Sequence, residues 1–486
     1  MESQQHMRSV DYSTNRRFWS VMIILLSLGC LAFVIGGLTA GNNPYLLVGV
    51  AFFIVSLPAY YQNSVKEREL FSPLNLLFLN LFVGVLIQTT LIVFDLDLNK
   101  TLVLQPELQF DIIVNGMTAL GIALVFLLIG YSFSPRSYKN WKGHSDIPQR
   151  LAISVWSRGR LLVLFVLFGG ISLVSLIYFM ISFDVLGDLS RLSVKRRLED
   201  GGSAGLLRFG MRFGQVACMI LFAYHLGCKR AGQKSGVLSL VLILFLISSI
   251  GPFVSSSRSQ LLYFLIGMFV VHHFSTGGWK LKGIRNAVII SLSVVVFMGG
   301  LRYIQQRAVT YESFREQVGI LGSVAKIASA NNFLGVKKTA VLMDVVPSEV
   351  PYTYGSTYFL WIISPIPRSV WPDKPVVRIG GLLGSAVYGT RDSNGIPPGF
   401  VGEAYLNFGW LGIPLVSLLF GAGIRQFYEK IGKHSYNDCR KMMFYAVLFA
   451  PIVFGGLSSD FTGFVTRSAQ VLIPLLLALK LVGARN

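Results

Sequence analysis

Long apolar blocks alternate with short polar segments along most of the chain. The blocks are close to the ~20 residues that a helix needs to cross the hydrocarbon core of a bilayer. A backbone in lipid must satisfy its own hydrogen bonds, so blocks of this length predict helices, whereas a membrane β-barrel would show alternation that is not seen here. The pattern predicts an all-α, polytopic membrane protein with about twelve transmembrane helices. The predicted spans are Phe18–Thr39, Tyr45–Tyr60, Pro73–Phe94, Ile112–Phe133, Leu161–Phe183, Leu206–Leu226, Val237–Ile250, Leu261–Phe274, Ala287–Tyr303, Val401–Phe420, Met442–Leu457 and Val465–Val482.

Lysine and arginine are concentrated in alternate connecting segments. Arg16 and Arg17 precede the first predicted span, and basic groups follow the second, fourth, sixth, eighth and tenth. Cytoplasmic loops carry this excess, so we expect both termini in the cytoplasm and the intervening segments outside. The chain then divides into a cytoplasmic tail (1–17), the first nine spans (18–303), a large outer segment (304–400) and the last three spans (401–486).

Two predicted outer segments differ from plain connectors. The first, 184–205, is basic against the usual bias, and it is either a solvated helix with local charge pairs or a surface with a function. The second, 304–400, is longer than ordinary loops are. Within it, Tyr311–Val346 has a helical period, which predicts a helix lying along the membrane surface. The remainder is rich in glycine and proline, which predicts a fixed irregular surface.

The composition is typical of a membrane protein, and the chain has an excess of positive charge. Apolar residues make up 53% of the chain and charged residues 14%, against about 25% charged in soluble chains. The formal charge of +20 fits cytoplasmic loops and also a basic surface for an anionic substrate. We expect no nucleic acid, because no soluble basic domain is predicted. The cysteines predict neither a disulfide nor a metal site, and Asp95-Leu96-Asp97 lacks a third ligand, so no cofactor or metal is expected.

Candidate chemistry at the predicted outer face depends on arginine and carboxylate. No histidine is placed there, so any acid–base step would use a carboxylate or no side-chain base. Arg258, Arg302 and Arg368 are predicted at the outer membrane edge, where arginine is costly unless it snorkels or pairs. The planar guanidinium matches phosphate oxygens, although each arginine could instead anchor a lipid headgroup.

The densest group of polar and aromatic residues lies between Tyr354 and Gly412. Glu403 and Asn407 are four residues apart, so they share a helix face. A carboxylate just inside an apolar span usually faces the bundle interior or a cavity, where it is either functional or the buried partner of an arginine. Asp460, in a short connector, is the rival outer carboxylate.

Two short motifs lie within this stretch. Their residues are Pro367, Arg368, Trp371, Pro372, Lys374, Pro375, Gly402, Glu403, Asn407 and Gly409. They resemble the O-antigen polymerase (Wzy) family and related oligosaccharide repeat-unit polymerases, in which a Pro-Arg…Trp-Pro-x-Lys-Pro pattern leads into Gly-Glu-x-x-x-Asn-x-Gly at a helix start. Further similarities are Ser257-Arg258-Ser259 at a span start and the Arg-x10-Gly spacing, seen in Arg191 with Gly202 and in Arg391 with Gly402.

The resemblance implies a lipid-dependent glycosyltransferase (GT-C-like) bundle in the bacterial inner membrane, whose outer face extends glycans linked through pyrophosphate to a polyprenyl lipid. The expected partners are this lipid-linked glycan, membrane lipid, a flippase and a chain-length regulator. The implied roles are pyrophosphate binding without a metal for Arg258, Arg302 and Arg368, and action on the acceptor for Glu403. Further substrate contacts are expected from Arg196, Lys374, Arg391, Asn407, Tyr354, Trp371 and Asp460.

Two alternatives remain open at this point. An O-antigen ligase performs similar chemistry, but we expect an outer-face histidine in that family, and none is predicted here. A polysaccharide flippase or other transporter would also be basic inside its bundle. Such a transporter would not need a large outer segment with a dense Pro/Arg/Lys motif.

Overall fold

The structure is a computed structural model, and its described part is helical. It describes residues 2–41, 43–65, 69–94, 109–133, 156–182, 203–254, 258–279, 333–366, 370–377, 379–388 and 395–483, with scattered positions between 283 and 293. Within these ranges there is no β-strand. The all-α fold that the apolar blocks predict is therefore confirmed.

The helices of these ranges are labelled here in chain order. They are α1 (Glu2–Ala40), α2 (Asn43–Val65), α3 (Pro73–Val93), α4 (Gln109–Ser132), α5 (Arg158–Ser182), α6 (Ser203–Arg230), α7 (Leu238–Val254), α8 (Arg258–Thr276), α9 (Val336–Val345), α10 (Ile379–Tyr388), α11 (Gly399–Lys430), α12 (Cys439–Ser458) and α13 (Phe461–Val482). Short 3₁₀ turns lie at Ser356–Phe359 and Gly432–His434, and Leu360–Ile363 forms one helical turn. Both α3 and α12 contain a π-helical turn, at Phe82–Ile87 and Pro451–Gly455.

Most predicted spans are present as helices of the expected length. In the described ranges, nine helices are long and apolar enough to cross a membrane: α1 to α6 and α11 to α13. The shorter α7 and α8 coincide with two further predicted spans. Ala287–Tyr303 lies almost wholly outside the described residues. The polytopic helical membrane protein is confirmed, while the total of twelve spans stays a prediction.

Glycines allow the longest helix, α11, to lie directly against α4. A Cβ added at Gly421 would meet the carbonyl oxygen of Leu127, and one added at Gly130 would meet that of Leu418. Small residues are what lets helix backbones approach closely in a bilayer, where burial of apolar surface gives little driving force. This contact fixes the position of α11 relative to α4.

The helix α9 lies inside the bundle and not on the membrane surface. The Leu334 amide donates to Asn80 Oδ1 at 2.9 Å, and Ala340 packs against Gly116 so closely that a Cβ there would be 2.8 Å from the alanine methyl. Eight of its ten residues are buried. The prediction of a surface helix over Tyr311–Val346 is therefore wrong for this part. Periodicity identifies a helix, but it does not show what covers the polar face.

The bundle has two ends with different polar residues. The helices α6, α8, α11 and α13 all begin at one end of the bundle, which is called the Glu403 end below. There, Arg212 of α6 interacts with Arg467 of α13, and Phe461 of α13 contacts Glu403 of α11. At the opposite end, His273 near the end of α8 contacts Tyr436, which follows α11.

Candidate functional site

A break in α11 creates a short buried helix at the Glu403 end. The break is at Gly409, whose φ of 60° and ψ of −150° lie outside the helical range. Glycine adopts positive φ without the steric penalty of a Cβ. The piece from Gly399 to the break carries Glu403 and Asn407, and the Asn407 Nδ2 donates to the Glu403 carbonyl oxygen at 2.8 Å. The two side chains share one face, as their spacing predicts.

The Glu403 carboxylate joins three parts of the chain that are distant in sequence. It accepts a hydrogen bond from Thr357 Oγ1 at 2.9 Å and one from the Phe461 backbone N–H at 2.6 Å. Its side chain is 1% exposed. Both donors are uncharged, so neither of these bonds is the arginine pair that the sequence left open for Glu403.

Asn407 fixes the segment that approaches Glu403. Its Oδ1 accepts from the Gly355 N–H at 2.7 Å and from Thr353 Oγ1 at 2.8 Å, and its Nδ2 donates to Thr357 Oγ1 at 2.7 Å. With the bond to Glu403, all four hydrogen-bonding positions of the amide are used. Asn407 thus holds the 353–357 segment in place, and direct contact of Asn407 with substrate stays a prediction.

Two further charged residues lie next to this cluster. Asp460 directly precedes α13, is 9% exposed, and its charge acts on Glu403. Lys338 of α9 donates from Nζ to the Ser458 carbonyl oxygen at 2.9 Å. Burial lowers the pKa of Lys338 to about 7, because an apolar environment disfavours the charged ammonium. The sequence analysis did not single out Lys338, since it assigned its helix to the surface.

Three arginines form a second cluster at the same end. Arg208 and Arg212 of α6 and Arg467 of α13 are close enough for the other two charges to act on Arg212. Tyr263 of α8 interacts with both Arg212 and Arg467. These residues lie inside predicted spans and were missed by the sequence analysis. The signal that could have found them is the pair of arginines four residues apart in an apolar block, since intramembrane arginines usually mark a functional path.

Other predicted substrate contacts take varied positions in the structure. Tyr354 is 81% exposed, Trp371 is 39% exposed, and both belong to the outer segment of the sequence analysis. Lys374 donates from Nζ to the carbonyl oxygens of Ser364 and Ile366, at 3.0 and 2.8 Å, and so holds its own loop. The structure therefore brings Glu403, Asn407 and Asp460 together. Tyr354 lies in the segment that Asn407 holds, with its side chain exposed, whereas Trp371 and Lys374 lie in a separate loop.

Several predicted residues cannot be placed by their side chains. Arg258 is the first residue of α8, which puts it at the Glu403 end. The predicted site residues outside the described ranges are Arg196, Arg302, Arg368 and Arg391, together with Asp95 and Asp97 of the short motif. Among the residues that are described, no group of three or more His, Cys, Asp or Glu side chains could hold a metal ion. Metal independence stays a prediction.

Most of the chain matches a model of a known protein family. A family model, O-antigen polysaccharide polymerase Wzy, matches residues 21–454. No curated protein and no solved structure matches the chain. The matched range contains Arg208, Arg212 and Glu403, and it ends shortly before Asp460 and Arg467.

Proposed function

Because the chain belongs to the O-antigen polysaccharide polymerase Wzy family, we propose that it extends glycans carried on a polyprenyl pyrophosphate at the outer face of the bacterial inner membrane. The family and the membrane-spanning helices establish the coarser statement, a multi-pass membrane protein of a repeat-unit polymerase family. The lipid carrier, the orientation and the residue roles belong to the proposal.

The proposed reaction is a single glycosyl transfer. The bond between the anomeric carbon of the growing glycan and its pyrophosphate breaks, and the electron pair stays on the pyrophosphate oxygen. A hydroxyl oxygen of the incoming lipid-linked unit forms the new glycosidic bond and gives its proton to a base. Such a reaction needs a carboxylate or an equivalent group at the acceptor and positive charge at the leaving group.

One observation carries the proposal: the carboxylate of Glu403 and the cluster of three arginines both contact the first two turns of α13. Phe461 binds Glu403 through its backbone N–H, and Arg467, less than two turns later, interacts with Arg212. Ionisable groups inside an apolar bundle are costly and usually mark a substrate path. Both kinds of group that the transfer needs are thus available at one end of the bundle.

We propose that Glu403 binds the acceptor hydroxyl and takes its proton, with Asp460 as the alternative. Glu403 is 1% exposed and already accepts two hydrogen bonds, so the acceptor hydroxyl must come within hydrogen-bond reach as the substrate binds. Asp460, at 9% exposure beside it, needs less rearrangement.

The remaining roles follow the family resemblance. We propose that arginines stabilise the pyrophosphate without a metal, with Arg258, Arg302 and Arg368 as the residues that the motif implies, and that glycan is contacted by Arg196, Lys374, Arg391, Tyr354 and Trp371. Both termini are proposed to be cytoplasmic, because basic residues fill that set of loops. A flippase and a chain-length regulator are the proposed protein partners.

The test is reconstitution of the full-length protein in liposomes with a lipid-linked repeat unit. The expected result is a ladder of longer lipid-linked glycans, measured by gel or mass spectrometry, that does not form with protein-free liposomes. As a matched control, Arg160→Ala removes an arginine at the opposite end, where its guanidinium donates to the Gly483 carbonyl oxygen, and should give the same ladder. Movement of the repeat unit across the bilayer without lengthening would overturn the proposal in favour of a transporter.

A further inference from the structure

The arginine cluster is formed by three helices that meet at the Glu403 end. Arg208 and Arg212 are one turn apart on α6, and Arg467 lies on α13. The charges of Arg208 and Arg467 both act on Arg212, and Tyr263 of α8 contributes its hydroxyl beside Arg467. Three positive charges therefore converge within helices long enough to cross a membrane.

The three guanidinium groups differ in accessibility. Arg467 is exposed, Arg208 is half-buried, and Arg212 is 5% exposed. The cluster thus extends from the surface of the bundle to its interior. A ligand whose polar head carries negative charge could reach Arg467 first and Arg212 last.

The buried Arg212 retains hydrogen-bonding capacity. Its Nη1 donates to Gln215 Oε1 at 2.9 Å, while its Nε is buried and has no hydrogen-bond partner among the described residues. An arginine stays protonated in proteins, so it cannot escape this environment by losing its charge. A buried donor without an acceptor and two neighbouring like charges are both unfavourable, and an anion bound there would offset both costs.

We propose that Arg208, Arg212 and Arg467, together with Tyr263, bind the pyrophosphate that links lipid and glycan in the substrate. This inference rests on the proposed function, and it moves the centre of phosphate binding from the arginines of the family motif to the interior of the bundle. Guanidinium groups bind phosphate oxygens through paired N–H donors, and the tyrosine hydroxyl adds one more donor.

The charge of the site suits the leaving group. In the substrate, each phosphate of the linkage carries one negative charge. When the anomeric carbon–oxygen bond breaks, the electron pair stays on the pyrophosphate oxygen, and the pyrophosphate gains one further negative charge. Three guanidinium groups therefore stabilise the departing pyrophosphate more than the bound substrate, which is the condition for lowering the barrier.

The position of Asp460 connects this site to the acceptor. A Cβ added at Gly463 would lie 2.5 Å from Asp460 Oδ1 and 3.6 Å from Arg467 Nη2, so both side chains flank the same glycine. The proton of the acceptor hydroxyl then passes to one of the two neighbouring carboxylates, Glu403 or Asp460. Leaving group and acceptor would thus be bound on adjacent turns of α13.

A phospholipid headgroup is a second source of the same chemistry, because it also presents phosphate to arginine. The two sources differ in charge and geometry, since a headgroup has one phosphate and the carrier has two. A site built for pyrophosphate should discriminate between them, whereas a headgroup anchor should not.

The test measures lipid binding by the full-length protein in phosphatidylcholine nanodiscs. Polyprenyl pyrophosphate is titrated against wild type, Arg212→Ala, Arg467→Ala and Arg467→Lys, with Arg160→Ala as the matched control. We expect the two alanine variants to weaken binding by about tenfold or more, as loss of hydrogen bonds to a charged group does. Arg467→Lys should recover part of the affinity, because lysine keeps the charge without the planar fork. Arg160→Ala should bind as wild type.

The same variants are compared with phosphatidylglycerol as the ligand. If they lose affinity for phosphatidylglycerol as much as for polyprenyl pyrophosphate, the cluster is a headgroup anchor and the inference is wrong. Normal pyrophosphate binding by Arg467→Ala would also overturn it. This variant decides the matter even if Arg212→Ala does not fold, because Arg467 is exposed.

Measuring glycan lengthening distinguishes failure of the pyrophosphate site from failure of the proposed polymerase function. If wild type lengthens lipid-linked glycans while the arginine variants bind and lengthen normally, the inference fails and the proposed function stands. If wild type itself does not lengthen them under any of these conditions, the proposed function fails, and the inference with it.

Discussion

The two ends of the bundle surround their carboxylates differently. At the end away from Glu403, carboxylates are bonded to basic side chains: Glu69 Oε1 lies 2.7 Å from His273 Nε2, and Glu429 Oε1 lies 2.6 Å from both Arg425 Nη2 and Lys433 Nζ. At the Glu403 end, Glu403 is bonded to uncharged donors, and Arg212 is faced by two further arginines.

This difference indicates what each end is for. A carboxylate bonded to a basic side chain recovers part of its desolvation cost and holds the two elements together, so these contacts can be explained by structure alone. Like charges collected in an apolar bundle destabilise the fold, and such sites are the ones that bind ligands or perform chemistry. The opposite end therefore looks structural, and the Glu403 end looks functional.

The largest expected effect concerns which end faces outward, because labelling should be all or none. Ser348 and Gln233 are both exposed and belong to the Glu403 end and the opposite end, respectively. In a background without Cys30, Cys218, Cys228 and Cys439, a cysteine at Ser348 should react with an impermeant thiol reagent in cells with a permeabilised outer membrane. A cysteine at Gln233 should react only after lysis. The reverse pattern would invert the assignment of the two ends.

Replacement of the central carboxylate should cost most of the turnover. Glu403→Gln has a single acceptor oxygen, so either Thr357 or the Phe461 N–H loses its acceptor, and the charge that could take a proton is removed. We expect turnover at saturating substrate to fall by about 10²–10⁴-fold, the range for general acid–base groups. The measurement is the initial rate of glycan lengthening at matched protein concentration.

Glu69→Gln is the control at the opposite end, since it also replaces a hydrogen-bonded carboxylate. It should lower the melting temperature and leave turnover per folded protein near that of wild type. If Glu403→Gln keeps near-normal turnover, Asp460 becomes the candidate for the acceptor. Equal loss of turnover in both variants would remove the functional contrast between the ends.

A smaller effect is expected from a pair of asparagines that hold backbone segments. Asn407 accepts from the Gly355 N–H, and Asn75 at the opposite end donates to the carbonyl oxygens of Glu69 and Leu70. Each alanine variant should lose about 1–3 kcal/mol of stability, because buried backbone groups lose partners. Only Asn407→Ala should also raise KM or lower kcat, by about tenfold, since a misplaced segment impairs positioning. Equal kinetics for both variants would show that the 353–357 segment is not part of the site.

The pH dependence of stability should report the hydrogen bonds of Glu69 at the opposite end. Burial alone would raise the pKa of Glu69, but hydrogen bonding to His273 and Tyr436 outweighs it, so the pKa lies below its ordinary value. A lowered carboxyl pKa adds stability above the unfolded pKa of about 4.3, which is lost as the pH falls through the folded value. The difference in unfolding free energy between wild type and Glu69→Gln, about 1–2 kcal/mol at neutral pH, should therefore shrink in acid. A constant difference across this range would contradict these hydrogen bonds.

The smallest expected effect is that of a chelator, which should leave glycan lengthening unchanged if arginines supply the positive charge at the Glu403 end. The measurement is the initial rate before and after EDTA treatment, with added magnesium or manganese as the reverse arm. Loss of activity that either metal restores would shift the charge compensation from the arginines to a metal site, with Asp95 and Asp97 as candidates.

Local patterns in the sequence determined much of the architecture. Apolar blocks of membrane-spanning length predicted the helices α1 to α8 and α11 to α13, because a backbone in lipid has almost no other way to satisfy its hydrogen bonds. The motif residues from Pro367 to Gly409 indicated the family that the match over residues 21–454 confirms. The four-residue spacing placed Glu403 and Asn407 on one face, since helical geometry repeats within a few residues.

Only the tertiary structure decided which polar groups meet. Glu403 contacts Thr357 and the Phe461 N–H, and Arg212 meets Arg467, because helices from distant parts of the chain pack together. Periodicity describes one helix at a time, and it cannot say which helix covers a polar face. For the same reason α9, a plausible surface helix by its pattern, lies buried with Lys338 inside the bundle.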